Sequence, residues 1–252
     1  MGKKIKLYNG DCLEVMNIMD SESIDCCVSD IPYKIVAGGV AIKDNGNECK
    51  GILNRRKAVS DGSTQGNKWV KKDGSIPCAV KSGKMFKHNN TTFDEFLPNL
   101  YRVMKKGTHT YLMINSRNLK DLQIACEKVG FVFQNLLVWD KGNVTPNQYY
   151  MQGIEFILML SKRPARSIND RGCKNIVKIP NMVGRKIHPS QKPIELMEYL
   201  VKNSCNEDDK VLDMFMGSGS TGLACINLNR KFIGIELDKQ YFKIAKDRIN
   251  NG

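Results

Sequence analysis

The sequence predicts an α/β fold, a mostly parallel sheet with helices on both faces. Three observations carry that expectation. Short apolar runs of strand length alternate with segments of helical apolar spacing over most of the chain. The runs at 24–28 and 210–214 read as buried strands, the kind that a sheet covered on both sides requires. The second of them leads through a glycine-rich turn, with Gly217, Gly219 and Gly222 in a G-x-G-x-x-G pattern, into a helical rhythm at 223–228.

Taken in order, residues 5–8 form a strand candidate ending at Asn9-Gly10-Asp11, and 12–19 have helical spacing. The strand at 24–28 ends in Ser29-Asp30-Ile31-Pro32-Tyr33. From 34 to 90 the chain is glycine-rich, aperiodic and highly charged, a long loop or inserted lobe rather than a passive connection. Residues 93–104 give an amphipathic helix with Phe93, Phe96, Leu97, Leu100 and Met104 on one face, closed by Lys106-Gly107. A strand at 110–114 and a helix at 119–129, ended by Gly130, follow. Strands at 131–139 and 154–160 flank a loop at 140–153. Residues 163–187 are a second basic, irregular stretch. Pro193 suits a helix start, and Ile194, Met197, Leu200 and Val201 give that helix its apolar face. The strand at Val211, its helix, a strand at 232–235 and a helix at 239–249 complete the alternation.

At 252 residues, 41% hydrophobic and 26% charged, the composition is that of an ordinary globular protein. No apolar run approaches the roughly 18 residues needed to span a bilayer, and the N-terminal residues lack a signal-peptide core. The nine cysteines are scattered without metal-ligand spacing, so no metal site is expected and they read as reduced, packed thiols. The net charge of +13 is unevenly placed. Residues 34–90 hold twelve Lys/Arg against four Asp/Glu, and residues 161–192 hold nine against one. An excess confined to two segments points to a polyanion, most simply nucleic acid, with solvated basic loops as the plainer alternative.

Two stretches carry candidate chemistry. The glycine turn lets backbone approach a ligand, and Glu236, closing the next apolar run, stands where an acid takes both ribose hydroxyls. A helix-packing turn is the alternative there. Asp30-Ile31-Pro32-Tyr33 follows a buried strand, which sets it on the same carboxyl edge of the sheet. Asp30 can accept from an exocyclic amino group, the Ile31 carbonyl is aimed by Pro32, and Tyr33 offers a stacking face. A simple strand-to-turn junction would also fit.

Together the motifs resemble the amino-methylating DNA methyltransferases, in the permuted β-class arrangement where the catalytic tetrapeptide precedes the cofactor motif. The resemblance rests on N-G-D-C-L-E-V-M at 9–16, S-D-I-P-Y at 29–33, W-D-K-G-N at 139–143, H-P-S-Q-K-P at 188–193, L-D-M-F-M-G-S-G-S-T-G at 212–222 and F-I-G-I-E-L-D at 232–238. It covers nearly all the chain except 34–90 and 163–187. Ile31 and Met214 stand where the family usually has proline. The resemblance implies a Rossmann-like methyltransferase fold with a seven-stranded sheet and circularly permuted motif order. It implies one methyltransferase domain over 1–252, with an inserted basic lobe at 34–90 and a short target-recognition region at 161–190.

It also implies S-adenosyl-L-methionine as cofactor. Gly217, Ser218 and Gly219 would pass its methionine part, with Asp213 near the ammonium and Phe215 lining the pocket. Glu236, followed by Leu237, would hold the ribose. Asp11 and the Cys12 amide would meet the adenine, although Asp11 could simply cap the next helix. His188, Ser190, Gln191 and Lys192 would close over the methionine carboxylate. The substrate would be a flipped base in double-stranded DNA, held through its amino group by Asp30 and Ile31 and stacked on Tyr33. Adenine N6 is the expected target; cytosine N4 and a catalytically inactive DNA-binding relative are the alternatives. A homodimer and a cognate restriction nuclease remain open as partners, and a cytoplasmic location in a bacterial or phage-infected cell is expected.

Three other readings fail on pattern. Pro77-Cys78, the only counterpart of a cysteine nucleophile for cytosine C5 chemistry, lies in the basic insertion rather than after a buried strand. A nicotinamide oxidoreductase leaves D-I-P-Y and the basic segments unexplained. A P-loop ATPase lacks the lysine after its glycines.

Overall fold

The computed structural model describes residues 4–32, 41–42, 48–49, 91–145, 150–182 and 191–251. The chain divides into one unit made of Met1–Tyr33 with Asn90–Gly252 and a second made of Lys34–Asn89. In the second, the described residues are the strands β3 (Ala41–Ile42) and β4 (Glu48–Cys49), paired antiparallel.

The first unit is built on an eight-stranded sheet. Its strands are β1 (Ile5–Asn9), β2 (Ile24–Asp30), β5 (Met104–Ile114), β6 (Val132–Thr145), β7 (Gln152–Ser161), β8 (Ile176–Lys178), β9 (Lys210–Asp213) and β10 (Lys231–Glu236). They lie in the order β1-β10-β9-β2-β5-β7-β6-β8. The first five run parallel, β7 runs antiparallel to both neighbours, and β8 is parallel to β6. Seven of these strands answer the expected methyltransferase sheet. The eighth, β8, lies inside the basic stretch expected to be irregular, where only Val177 of its three residues is buried. One inward side chain gives too little apolar pattern to mark a strand; β8 is defined by its pairing with Val138–Asp140. β6 likewise continues through Asp140–Thr145, which the sequence suggested was loop.

The sheet is covered on both faces because its central strands are apolar throughout. Cys27, Leu112 and Ile114 face a cluster with Met16, Phe96, Leu97, Leu100, Leu122 and Cys126. These come from α1 (Cys12–Asn17), α2 (Phe93–Val103) and α3 (Leu119–Lys128). Cys26, Val28, Tyr111 and Met113 alternate to the opposite face. There they meet Met197, Leu200, Val201, Ala224, Cys225, Ala245 and Ile249 from α4 (Ile194–Ser204), α5 (Ser220–Asn227) and α6 (Lys239–Asn251).

This layering fixes where a ligand can sit. From β9 the chain proceeds to β10, on one side, while from β2 it proceeds to β5, on the other. The pair β9/β2 is therefore the point where strand order reverses, and a crevice opens beyond the carboxyl ends of those two strands.

Candidate active site

Four acidic residues stand at the carboxyl ends of the four strands around that crevice. Asp11 follows β1, Glu236 ends β10, Asp213 ends β9 and Asp30 ends β2. By the registers Asn9↔Glu236, Gly234↔Asp213 and Cys27↔Leu212 they share one edge in steps, Asp213 lowest, Asp30 and Glu236 two residues beyond it and Asp11 two beyond Glu236. Asp30 and the turn residues Gly217 and Ser218 line one cavity with Gln191, Lys192 and Asp213. Residues nearly 190 positions apart thus share a wall. The cavity measures about 30 Å3, room for one water.

Asp213 is buried and held from three sides. Ser29 Oγ donates to it at 2.7 Å, Thr221 Oγ1 at 2.6 Å and the Phe215 amide at 3.2 Å. Burial nevertheless outweighs these donors and pushes its pKa up to about 6. Phe215 is fixed edge-to-face against Phe96, with ring centroids 5.4 Å apart. In the turn, Gly217 (φ 51°) and Gly219 (φ 80°) take the left-handed backbone that glycine adopts without strain. Gly222 serves a different purpose: a Cβ there would lie 2.5 Å from Ile249 Cδ1 and 2.8 Å from Phe232 Cε1. It allows α5 to approach α6 and β10.

Glu236 accepts from the Gly217 amide at 3.0 Å and from the Asp238 amide at 2.8 Å, so the carboxylate that faces the turn also shapes it. Burial raises its pKa against those two donors. Leu237 is largely exposed, and its carbonyl accepts from Asn9 Nδ2 at 3.2 Å. Asp11 is the N-cap of α1, accepting from the Leu13 amide at 2.8 Å. Burial pushes the Cys12 thiol up to about 12, so it is a packed, neutral group.

Asp30 meets the ammonium of Lys192, whose Nζ donates to Oδ2 at 2.6 Å. Lys192 Nζ also lies 3.4 Å from Glu155 Oε2, and Lys141 Nζ lies 3.3 Å from Glu155 Oε1. Burial raises the Asp30 pKa; Lys192 opposes that rise and Glu155 adds to it. Burial acts on Glu155 as well, but Lys192 and Lys141 together hold its pKa below the usual range. Ile31 is buried and Pro32 half-buried beside Asp30. The segment 191–193 is tied to the glycine turn's helix, since Ser220 Oγ donates to the Lys192 carbonyl at 2.8 Å.

Among the residues singled out from sequence, Tyr33, His188 and Ser190 lie outside the described residues, as do most of 34–90 and all of 183–190. Gln191, Asp213, Phe215, Gly217 and Ser218 line the crevice with Asp30. Lys192 lines it too, but with its ammonium on Asp30, a contact that sequence reasoning did not foresee. Ser29, Thr221, Glu155 and Lys141 were missed. A lone acid in the apolar run Gly153-Ile154-Glu155-Phe156-Ile157, and the lysine of Trp139-Asp140-Lys141, were the available signals. Among the described residues no group of His, Cys, Asp and Glu could hold a metal ion, and no helix is long and apolar enough to cross a membrane.

The acids decide what the crevice accepts. Asp213 and Glu236 would repel a nucleotide's pyrophosphate, and Lys192, the cation lining the cavity, is engaged by Asp30 and Glu155, so the carboxylates suit a cationic ligand carrying hydroxyls.

Comparison with known proteins agrees. The family described as DNA methylase matches residues 24–247. Type II methyltransferase M2.LlaDCHI of Lactococcus lactis subsp. cremoris is 27% identical, aligned over 98% of this chain and 89% of its own. Type II methyltransferase M2.DpnII of Streptococcus pneumoniae is 26% identical, over 98% and 90%. The DNA adenine methyltransferase YhdJ of Escherichia coli is 28% identical over 62% of this chain and 65% of its own. Among solved structures, the M1.HpyAVI–SAM complex superposes with a TM-score of 0.65 at 25% identity, covering 97% of this chain and 99% of that one.

Proposed function

The chain belongs to the DNA methylase family, and from that premise we propose that it transfers a methyl group from S-adenosylmethionine to the N6 amino group of adenine at a specific DNA sequence. What carries the reading is the crevice at the strand-order reversal, where the Asp30 carboxylate and the Gly217–Ser218 turn line one cavity. The bound cofactor supplies a methyl group on a positively charged sulfur. Asp213 and Glu236 offer carboxylates to its ammonium and ribose ends, and Asp11 and the Cys12 amide offer an acceptor and a donor to its adenine. Gln191 and Lys192, with His188 and Ser190, close that side.

The amino nitrogen of adenine is a poor nucleophile because its lone pair is delocalised into the ring. Asp30 and the Ile31 carbonyl accept its two hydrogens, favouring a tetrahedral nitrogen with its lone pair free, while Pro32 aims that carbonyl and Tyr33 stacks on the flipped base. Positioning and complementary charge carry the acceleration, and no covalent enzyme intermediate forms. The basic lobe at 34–90 and the segment 161–190 hold the DNA and read its sequence. Cytosine N4 is the second reading; a cytosine-N4-specific PvuII methyltransferase shares the fold with a TM-score of 0.67, at 16% identity. A cytoplasmic location, a homodimer and pairing with a cognate restriction nuclease complete the proposal, the last supported by relatives that are type II methyltransferases.

The test is transfer of labelled methyl from S-adenosylmethionine to unmethylated DNA, followed by sequencing that reports the modified base. Asp30→Ala should abolish transfer and leave cofactor affinity within about tenfold, since it removes a group that acts in the transition state. Near-normal methylation by that variant would rule out the role given to Asp30.

A further inference from the structure

Four charges of alternating sign extend from the crevice across three strands: Asp30 on β2, Lys192 before α4, Glu155 on β7 and Lys141 on β6. Their side chains are 24%, 11%, 26% and 12% exposed, so each is mostly withdrawn from water and depends on the others. The set sums to zero. One ammonium serves two carboxylates, at 2.6 Å and 3.4 Å, and the nearer one is the group that a base must use.

An adenine amino group that is to donate to Asp30 competes with the ammonium already there. Were Asp30 the sole partner of Lys192, that competition would leave a half-buried ammonium unpaired, an expensive outcome. Glu155 removes the difficulty. From this geometry we infer that Glu155 is a positioning residue, which receives the Lys192 ammonium when the base takes its place on Asp30. Lys141 holds the other oxygen of Glu155 and keeps it in reach. The exchange moves one cation by the distance between two carboxylates and creates no net charge. The inference rests on the methyltransferase reading and deepens it.

A purely structural role, pinning segment 191–193 to the sheet, would leave kcat at saturation unchanged in a folded Glu155→Gln variant, while the pH profile checks that both charges act on Asp30. Among the described residues, the charged groups facing Asp30 are Lys192, Glu155 and, from β9, Asp213. Lys192 favours the ionised form that accepts from the base, while Glu155 and Asp213 oppose it. Removing one charge or the other must therefore shift the acid limb of the rate profile in opposite directions.

Methyl transfer to DNA carrying the wild-type recognition sequence is measured at saturating cofactor and DNA from about pH 5 to 9, which reports groups in the loaded complex. Glu155→Gln should lower kcat by roughly tenfold, equivalent to about 1.4 kcal/mol. Its acid limb should move to lower pH, and Lys192→Met should move it to higher pH, by about one unit each. Glu155→Asp, which keeps the charge on a shorter arm, should leave the limb where it is and give an intermediate kcat. Cofactor affinity by calorimetry should be unchanged in both Glu155 variants.

An active wild type whose Glu155→Gln variant keeps full kcat, or two limbs shifting the same way, overturns this inference and leaves the proposed function standing. A wild type that transfers no methyl group overturns both. If Glu155→Gln does not fold, a full kcat in Glu155→Asp together with an unmoved limb in Lys192→Met overturns the inference as well.

Discussion

If Asp213 holds the cofactor's ammonium as proposed, cofactor binding depends on protons in a way that can be worked out in advance. Its pKa of about 6 means that half of the free protein carries a neutral side chain there at pH 6. A cation bound beside it favours the ionised form, so binding expels the proton and the affinity falls as pH drops through 6. At pH 5 about one site in eleven is ionised, so the dissociation constant should be about tenfold weaker than at pH 7.5, or about 1.4 kcal/mol; at pH 6 the loss is about twofold. The ligand's own ammonium, with a pKa near that of an α-amino group at about 7.7–8.0, stays charged across the lower part of this window.

Isothermal titration calorimetry from pH 5 to 7.5 measures the affinity, and repeating it in buffers of different ionisation enthalpy counts the released protons. Burial also raises Glu236, so any proton it binds at the acid end acts in the same direction. Asp213→Asn isolates the contribution of Asp213: its affinity should be weak and much flatter with pH. A wild-type constant that does not change between pH 5 and 7.5, or an Asn variant as steep as wild type, would refute the account of this carboxylate.

Two further outcomes follow from the packing and the charge. Gly222→Ala should lower stability by about 1–2 kcal/mol in denaturant unfolding, because the methyl group must displace Ile249 Cδ1 and Phe232 Cε1 and only part of the cost is recovered in helix propensity. Replacing the exposed Arg171 and Lys174 by alanine should reduce the slope of log affinity for DNA against log salt by about 1.8, if each neutralises one phosphate.

Much of the architecture could be read from the chain because it depends on local pattern. The runs at 24–28 and 210–214 are apolar enough to announce buried strands; Asp30 follows the first by two residues, and Asp213 lies near the end of the second. That alone set Asp30 and Asp213 on one edge. What could not be read depends on which strands become neighbours. Glu155 meets Lys192 on one side and Lys141 on the other only because β7 inserts antiparallel between β5 and β6, bringing Glu155 opposite Trp139. No periodicity within β7 encodes that. Lys192 was placed at the cofactor because its motif suggested it; the contact with Asp30 comes from the Ser220 hydroxyl tethering its backbone. Asp11 shows the reverse case, a residue whose capping bond to Leu13 was legible from three consecutive letters.

The reversal of strand order has a consequence for how the enzyme is made. Ser29 and Asp213 are hydrogen-bonded across 184 positions, and β1 finds its neighbour only when β10 exists. A ribosome adding about 5–20 residues per second needs roughly 10–40 s between the two halves of that bond. For that interval the nascent chain has one half of the crevice and no route to the other. A message truncated anywhere before β9 would therefore yield a product unable to mark a genome, however well its earlier helices had packed.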